Sequence, residues 1–210
     1  MAGRNLCNID QANENKLGLV VLAAMTGSGA DMALNDPHLI QRDGAPVLIR
    51  RLVAEDAALY PDFLSEVTAE DLRLRFFAPM REVNHELLDR LINYDPVSAM
   101  AFIAVDERNQ KMLGVVRLHD DTSGESAEFA ILVRSRLKGH GVGWLLMKRM
   151  IEYSKQKGLK TVRGQVLSEN AAMLTMCAEL GFHIADDPDD FSVKTVTLPE
   201  GTTATEPAVL

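Results

Sequence analysis

The 210 residues suffice for one ordinary domain and some tail. A hydrophobic content of 47% and a charged content of 25% describe a soluble chain that can bury a core. The net charge of −8, from 30 acidic against 22 basic residues, argues against a general nucleic-acid binder and leaves cationic acceptors open, such as lysine side chains or small amines.

Cys7 and Cys177 have no partners at metal-ligand spacing and make no disulfide framework, so no metal is expected and a reducing cytoplasm is the simplest compartment. No apolar run is long enough to span a membrane, and no membrane association is expected. The composition specifies no oligomeric state.

Residues 1–45 read as an N-terminal extension, partly disordered, with turn chemistry in TGSGADMALNDP and QRDGAP. Its apolar stretch Leu17–Met25, followed by Ser28-Gly29-Ala30, has the outline of an export signal. Asp10 and Glu14 offset Arg4 and Lys16, however, so the positive bias of such signals is missing. A short buried strand or helix, or a weakly ordered extension, is expected there instead.

Regular structure is predicted from Val47, where VLIRRL reads as a strand. AEDAALYPDFLSEV and TAEDLRLRFF read as two short helices, the second with Thr68 as N-cap and Asp71 three residues on. Asn84 caps HELLDRLINY, whose Leu87, Leu88, Leu91 and Ile92 share one face.

MAFIAVD, KMLGVVRLH and AEFAILVRS follow as strands separated by tight turns. GWLLMKRMIEYSKQK is a helix stopped at Gly158, TVRGQVL a strand, NAAMLTMCAEL a helix stopped at Gly181, and FSVKTVTL a last strand. The expected class is α/β, one dominant mixed and mostly antiparallel sheet flanked by helices, built by residues 46–198. Residues 199–210 form a patternless tail.

The segment Lys138-Gly139-His140-Gly141-Val142-Gly143 joins a predicted strand to a predicted helix. No Gly-Lys-Ser/Thr follows, so it is not a Walker loop, and its spacing is not the dinucleotide fingerprint. Successive backbone N–H groups in such a loop can converge on a pyrophosphate, helped by the helix N-terminus. Taken alone, the loop reads equally well as one that only needs positive φ.

The order strand, glycine loop, helix, strand, then Asn170 opening a helix that ends Leu180-Gly181-Phe182, resembles the GCN5-related N-acetyltransferase (GNAT) family. That family's acetyl-CoA loop reads Gln/Arg-x-x-Gly-x-Gly/Ala. Here Lys138 takes the first position, a departure that keeps a cation. Nearly all of the patterned chain is covered.

LRLRFFAPM (72–80), Tyr94-Asp95 and AEFAILVRSRLKGHGVGWLLMKRMIEY further resemble the acetyltransferase domain of bacterial protein lysine acetyltransferases (Pat-like). Those enzymes often carry the domain on a large acyl-CoA-synthetase-like chain, and their targets include acyl-CoA synthetases. The large region has no counterpart in these residues. The resemblance implies acetyl-CoA as co-substrate. It also implies cofactor contacts from the backbone of Ile131, Leu132 and Val133, from the loop 138–143, and from Asn170.

Acyl transfer to an amine needs the neutral amine, and a free lysine with a pKa near about 10.4 is almost wholly protonated at pH 7. A general base is therefore required. Glu128, just before the loop, is the candidate, flanked by Ala127, Phe129 and Ala130, whose apolar side chains would desolvate it. The resemblance matches it to the family's glutamate base. The competing reading is a solvent-facing strand carboxylate. Glu125 and His119 are the fallback bases.

Arg134 and Arg136 read equally as phosphate contacts or as surface charges. Cys177, where many relatives have a tyrosine, is either a thiol donor to the leaving group or a small core residue, the latter favoured. Met147, Met150, Met173 and Met176 read as core packing, and the aspartates of DDPDD (186–190) as a solvated loop. Trp144 either covers the cofactor or fills the core, and His140 lies against a phosphate or is merely exposed.

Three functions remain at this point: acetyl-CoA-dependent acetylation of a protein lysine, the same chemistry on a small amine, or a non-catalytic module that senses acyl-CoA.

Overall fold

The computed structural model describes residues 46–80 and 83–201. The extension 1–45, with its apolar stretch, and the tail beyond 201 lie outside the described residues.

Seven strands form one sheet: β1 (Val47–Arg51), β2 (Ala99–Asp106), β3 (Lys111–Asp120), β4 (Ser126–Val133), β5 (Thr161–Leu167), β6 (His183–Asp186) and β7 (Val193–Pro199). Their spatial order is β1-β2-β3-β4-β5-β7-β6. Every neighbouring pair is antiparallel except β4–β5, which is parallel. All eight residues of β2 are buried, which is why the sequence shows a continuous apolar run there instead of alternation.

Among the described residues five α-helices flank the sheet. They are α1 (Tyr60–Ser65), α2 (Ala69–Phe76), α3 (His85–Ile92), α4 (Val142–Lys157) and α5 (Ala171–Glu179). The first predicted helix is in fact two pieces. Ala54–Leu59 is 3₁₀, and α1 begins at Tyr60 with Pro61 in its first turn. Proline has no N–H to donate back to the preceding turn, so the chain restarts its helix there.

The predicted caps are present. Thr68 Oγ1 accepts from the Asp71 N–H at 3.2 Å and donates to Asp71 Oδ2 at 2.9 Å. Asn84 Oδ1 accepts from the Leu87 N–H at 2.9 Å.

Two apolar clusters lie on opposite faces of the sheet. One joins α4 and α5 to Val116, Leu118, Phe129, Val162 and Val196. The other joins α1 and α2 to Ile103, Val115 and Leu132. Met147 and Met150 are fully buried in the first, as expected, while Met173 and Met176 are only partly buried at its margin.

β6 has no sequence signature, because all four of its residues are exposed. It exists by pairing with β7, where Lys194 forms an ion pair with Asp186 opposite it. The rest of the acidic loop is turn chemistry: Asp187 Oδ1 accepts from the Asp189 N–H and Asp190 Oδ1 from the Ser192 N–H.

Candidate active site

β4 and β5 pair only over Ser126–Glu128 and Thr161–Arg163. Beyond Glu128 the two strands separate. β4 continues to Val133 against β3 on its other side, while β5 continues against β7. The edge of β4 over residues 129–133 is thus unpaired toward β5. Unpaired strand groups are templates for an extended ligand with amides of its own. A cleft of about 420 Å³ opens at this point.

Gly164 sits beside the divergence. A Cβ there would fall 2.5 Å from Phe129 Cε1, so the phenyl ring occupies the space of the missing side chain. Gly164→Ala is expected to overpack this contact and destabilise the chain by about 1–3 kcal/mol. Thermal unfolding checks this. An unchanged melting temperature would show that the ring moves aside freely.

The glycine loop follows β4 after a 3₁₀ turn, Ser135–Leu137. Gly139 and Gly141 have φ of 76° and 88°, and a Cβ on either would meet nothing within 4 Å. Glycine is required here for its left-handed backbone, not for space. Gly141 is the N-cap of α4 and supplies no side-chain cap. The first-turn N–H groups of α4 therefore face the end of the cleft without a side-chain acceptor, the arrangement that suits a pyrophosphate. With the open β4 edge, these groups fit a CoA-type ligand.

Of the residues singled out in the sequence, Glu128, Ile131, Leu132, Val133, Lys138, Gly139, Gly141, Gly143, Trp144 and Asn170 all line this cleft. Two do not. Val142 is fully buried in the α4-side core, and His140 is exposed with Nδ1 3.0 Å from the Lys138 carbonyl oxygen. Trp144 both lines the cleft and packs on that core. Asn170 caps α5, its Oδ1 accepting from the Met173 N–H at 3.3 Å.

Lys138 is committed elsewhere. Its ammonium hydrogen-bonds Asp71, which also accepts from Ser135. Burial alone would raise the Asp71 carboxyl, but the bonds from Lys138, Ser135 and Thr68 outweigh it and hold it below its ordinary value of 3.8. This cluster ties α2 to the glycine loop.

A carboxyl depressed on folding stabilises the protein above its unfolded pKa, and that contribution is lost as pH falls through the folded value. Asp71→Asn is therefore expected to cost stability in full at neutral pH. The difference from the wild type should shrink below about pH 4. Melting temperatures of both proteins between pH 7 and pH 3 test this, and a constant difference would refute it.

Alternation puts Glu128, Ala130 and Leu132 on the α2 face, and Ala127 and Phe129 on the other. The flanking Ala127 and Phe129 are buried there, while Glu128 itself is exposed at the cleft. Those apolar neighbours thus face away from the Glu128 carboxylate. His119 lies directly opposite Glu128 on β3, and Arg117 opposite Ala130. Desolvation, with the Arg117 and Arg75 charges, lowers the His119 imidazole below 6.5 although the ring keeps an exposed edge. Glu125 pairs with Lys160 at 2.5 Å on the turn before β4, outside the cleft lining.

Arg134 is neither a surface charge nor placed for phosphate. Its side chain is fully buried and pairs with Asp62 at 2.5 Å, while Arg136 pairs with Glu66 at 2.9 Å. Cys177 is a core residue, and burial pushes its thiol up to about 12.

Sequence reasoning gave Asp71, Leu74, Arg75 and Phe77 no place in the site, yet they line the α2 wall of the cleft. Asp71, Leu74 and Arg75 stand at i, i+3 and i+4, so one helical face carries them. That spacing was the available signal.

A model of the acetyltransferase (GNAT) domain matches residues 47–183. The chain belongs to the GNAT acetyltransferase family. GNAT acetyltransferases use acetyl-CoA as acyl donor, the ligand for which the cleft has the right donors.

An acetyltransferase of Pseudomonas aeruginosa is 28% identical over 167 residues, spanning 78% of this chain and 90% of that one. The crystal structure of the GNAT domain of S. lividans PAT superposes with a TM-score of 0.72 at 21% identity, over 80% of this chain and 97% of that one. Spermidine N-acetyltransferase from Vibrio cholerae, in complex with CoA and spermine, gives 0.62 at 21% identity, over 74% and 96%. Both structures share the fold. Among the described residues no helix is long and apolar enough to cross a membrane, and no cluster of ligating side chains could hold a metal ion.

Proposed function

We propose that residues 46–198 form an acetyl-CoA-dependent N-acetyltransferase that acetylates a protein lysine, with Glu128 as general base and the cytoplasm as its place of work. The observation that carries this reading is the exposed carboxylate of Glu128 beside the open β4 edge.

When bound, acetyl-CoA supplies a thioester carbonyl open to attack by a neutral amine. The N–H groups at the start of α4 hold the pyrophosphate, and the β4 edge at Ile131–Val133 pairs with the pantetheine amides. Glu128 takes the proton from the incoming amine as the C–N bond forms. The C–S bond breaks and CoA leaves as a thiolate. No acid from this chain is assigned to it, since Cys177 is buried away from the cleft lining.

Three things support a protein acceptor: the exposure of Glu128, the resemblance to Pat-like domains, and the fold shared with the S. lividans PAT domain. Acyl-CoA synthetases are the first targets to examine. A silent sensor module would not require a carboxylate at this point of the cleft.

The test is label transfer from radiolabelled acetyl-CoA to a cell lysate split into protein and small-molecule fractions. Label in protein bands is expected. Label confined to small amines would move the acceptor to that class, and acetyl-CoA binding without transfer would favour the sensor.

A further inference from the structure

Arg75 lines the cleft from α2, on the same face of the sheet as Glu128, His119 and Arg117. Among the described residues it has no carboxylate within ion-pair distance and makes no hydrogen bond; its guanidinium lies 4.8 Å over the Phe76 ring. Its helix neighbour Arg73 is bonded to both Glu70 and Glu169. An arginine left without a counter-ion in a partly desolvated wall is unfavourable in the free protein. It is unexpected in a chain with excess acid.

Behind it stands a second cation. Arg117 is 3% exposed, and its Nη2 donates to Tyr60 Oη at 2.8 Å and to the Leu91 carbonyl. Among the described residues its Nε is buried without a partner, and no carboxylate bonds it. Desolvation and the Arg117 charge bring the Arg75 guanidinium down to about 10, with Glu128 pulling the other way. Arg75 is still a cation at neutral pH.

Glu128 lines the same cleft and its charge acts on Arg75, and in the transfer it takes up a proton. At that moment Arg75 loses that negative charge. An anion brought in by the acceptor would restore the balance, and the planar guanidinium is suited to a carboxylate.

We propose that Arg75 makes the acceptor side of the cleft select amines that carry a carboxylate. Phe77, 42% exposed on the same wall, offers an apolar surface for the methylenes between the two groups. Polycationic amines are disfavoured by the same charges. The inference deepens the N-acetyltransferase reading and rests on it for the identity of the amine site.

The test uses two matched pairs of lysine probes and the protein saturated with CoA. The first pair is Nα-acetyl-lysine and its carboxamide. The second is the blocked peptide Gly-Lys-Glu-Gly and its Gln counterpart. Binding is measured by calorimetry, and transfer separately with acetyl-CoA.

The carboxylate member of at least one pair should bind about tenfold tighter, as one charge-assisted contact implies. Preference in the first pair points to a small amino-acid acceptor, and in the second to a lysine beside an acidic residue. Arg75→Gln should reduce the preference to near unity, and Arg75→Lys should retain part of it. CoA affinity and melting temperature report that the variants are folded. Equal binding within both pairs, or a preference that survives Arg75→Gln, overturns the proposal. Preferential binding without transfer leaves it standing and removes the transferase reading instead.

Discussion

Glu128→Gln is expected to lower kcat by about 10²–10⁴-fold while leaving acetyl-CoA affinity unchanged. The amide keeps the shape of the side chain but removes its negative charge and its capacity to accept a proton. The affinity should hold, because the groups that fit the donor are backbone ones: the β4 edge beyond Glu128 and the first turn of α4. Binding by calorimetry and single-turnover transfer separate the two effects.

A parallel loss of acetyl-CoA binding would make Glu128 a binding residue. A rate that persists would pass the base role to His119. That residue lies opposite Glu128 in register, and its lowered pKa favours the neutral, proton-accepting form at pH 7. Glu125 is not the successor, since it is paired with Lys160 outside the cleft lining.

Features set by neighbours in sequence were legible before the structure. The caps at Thr68, Asn84 and Asn170 are local hydrogen bonds to an N–H three residues on, and each is present. The helix stops at Gly158 and Gly181 both have positive φ. The order of strands and helices followed from periodicity, so the α/β class and the position of the glycine loop followed too.

Features set by partners far along the chain were not legible. The separation of β4 from β5 after three residue pairs depends on what each strand pairs with on its other side. β6 is exposed throughout and is defined only by β7. Lys138 looked like a free cation because Asp71, its partner, lies 67 positions earlier. The surroundings of Glu128 were not legible for another reason: residues adjacent in a strand point to opposite faces, so Ala127 and Phe129 say nothing about them. Arg75 was hidden because a surface arginine and a cleft arginine look the same until the helix is docked.

Arg134 carries the largest expected effect on stability. It directly follows β4 and has no exposed side-chain surface, its Nε donating to the Met112 carbonyl at 2.6 Å and its Nη2 to Asp62 at 2.5 Å. Removing it leaves a large void, strips a buried carbonyl of a donor, and unpins α1 from β3. Arg134→Ala should therefore cost about 3 kcal/mol or more. For a chain of this size that is a fall in melting temperature of roughly 6–12 °C. Arg134→Met fills much of the volume and should lose less, since only the polar contacts go.

The pair of variants also decides what the residue is for. A guanidinium engaged by Asp62 and the Met112 carbonyl has no part in holding phosphate. Folded Arg134→Met should thus bind acetyl-CoA as the wild type does. If it keeps its melting temperature yet binds acetyl-CoA many times more weakly, Arg134 contacts the cofactor and the buried pair with Asp62 is not its main state in solution. If stability falls and affinity holds, Arg134 is a residue of the fold alone: its contacts with Asp62 and the Met112 carbonyl hold α1 to β3, and the β4 edge keeps its place without them.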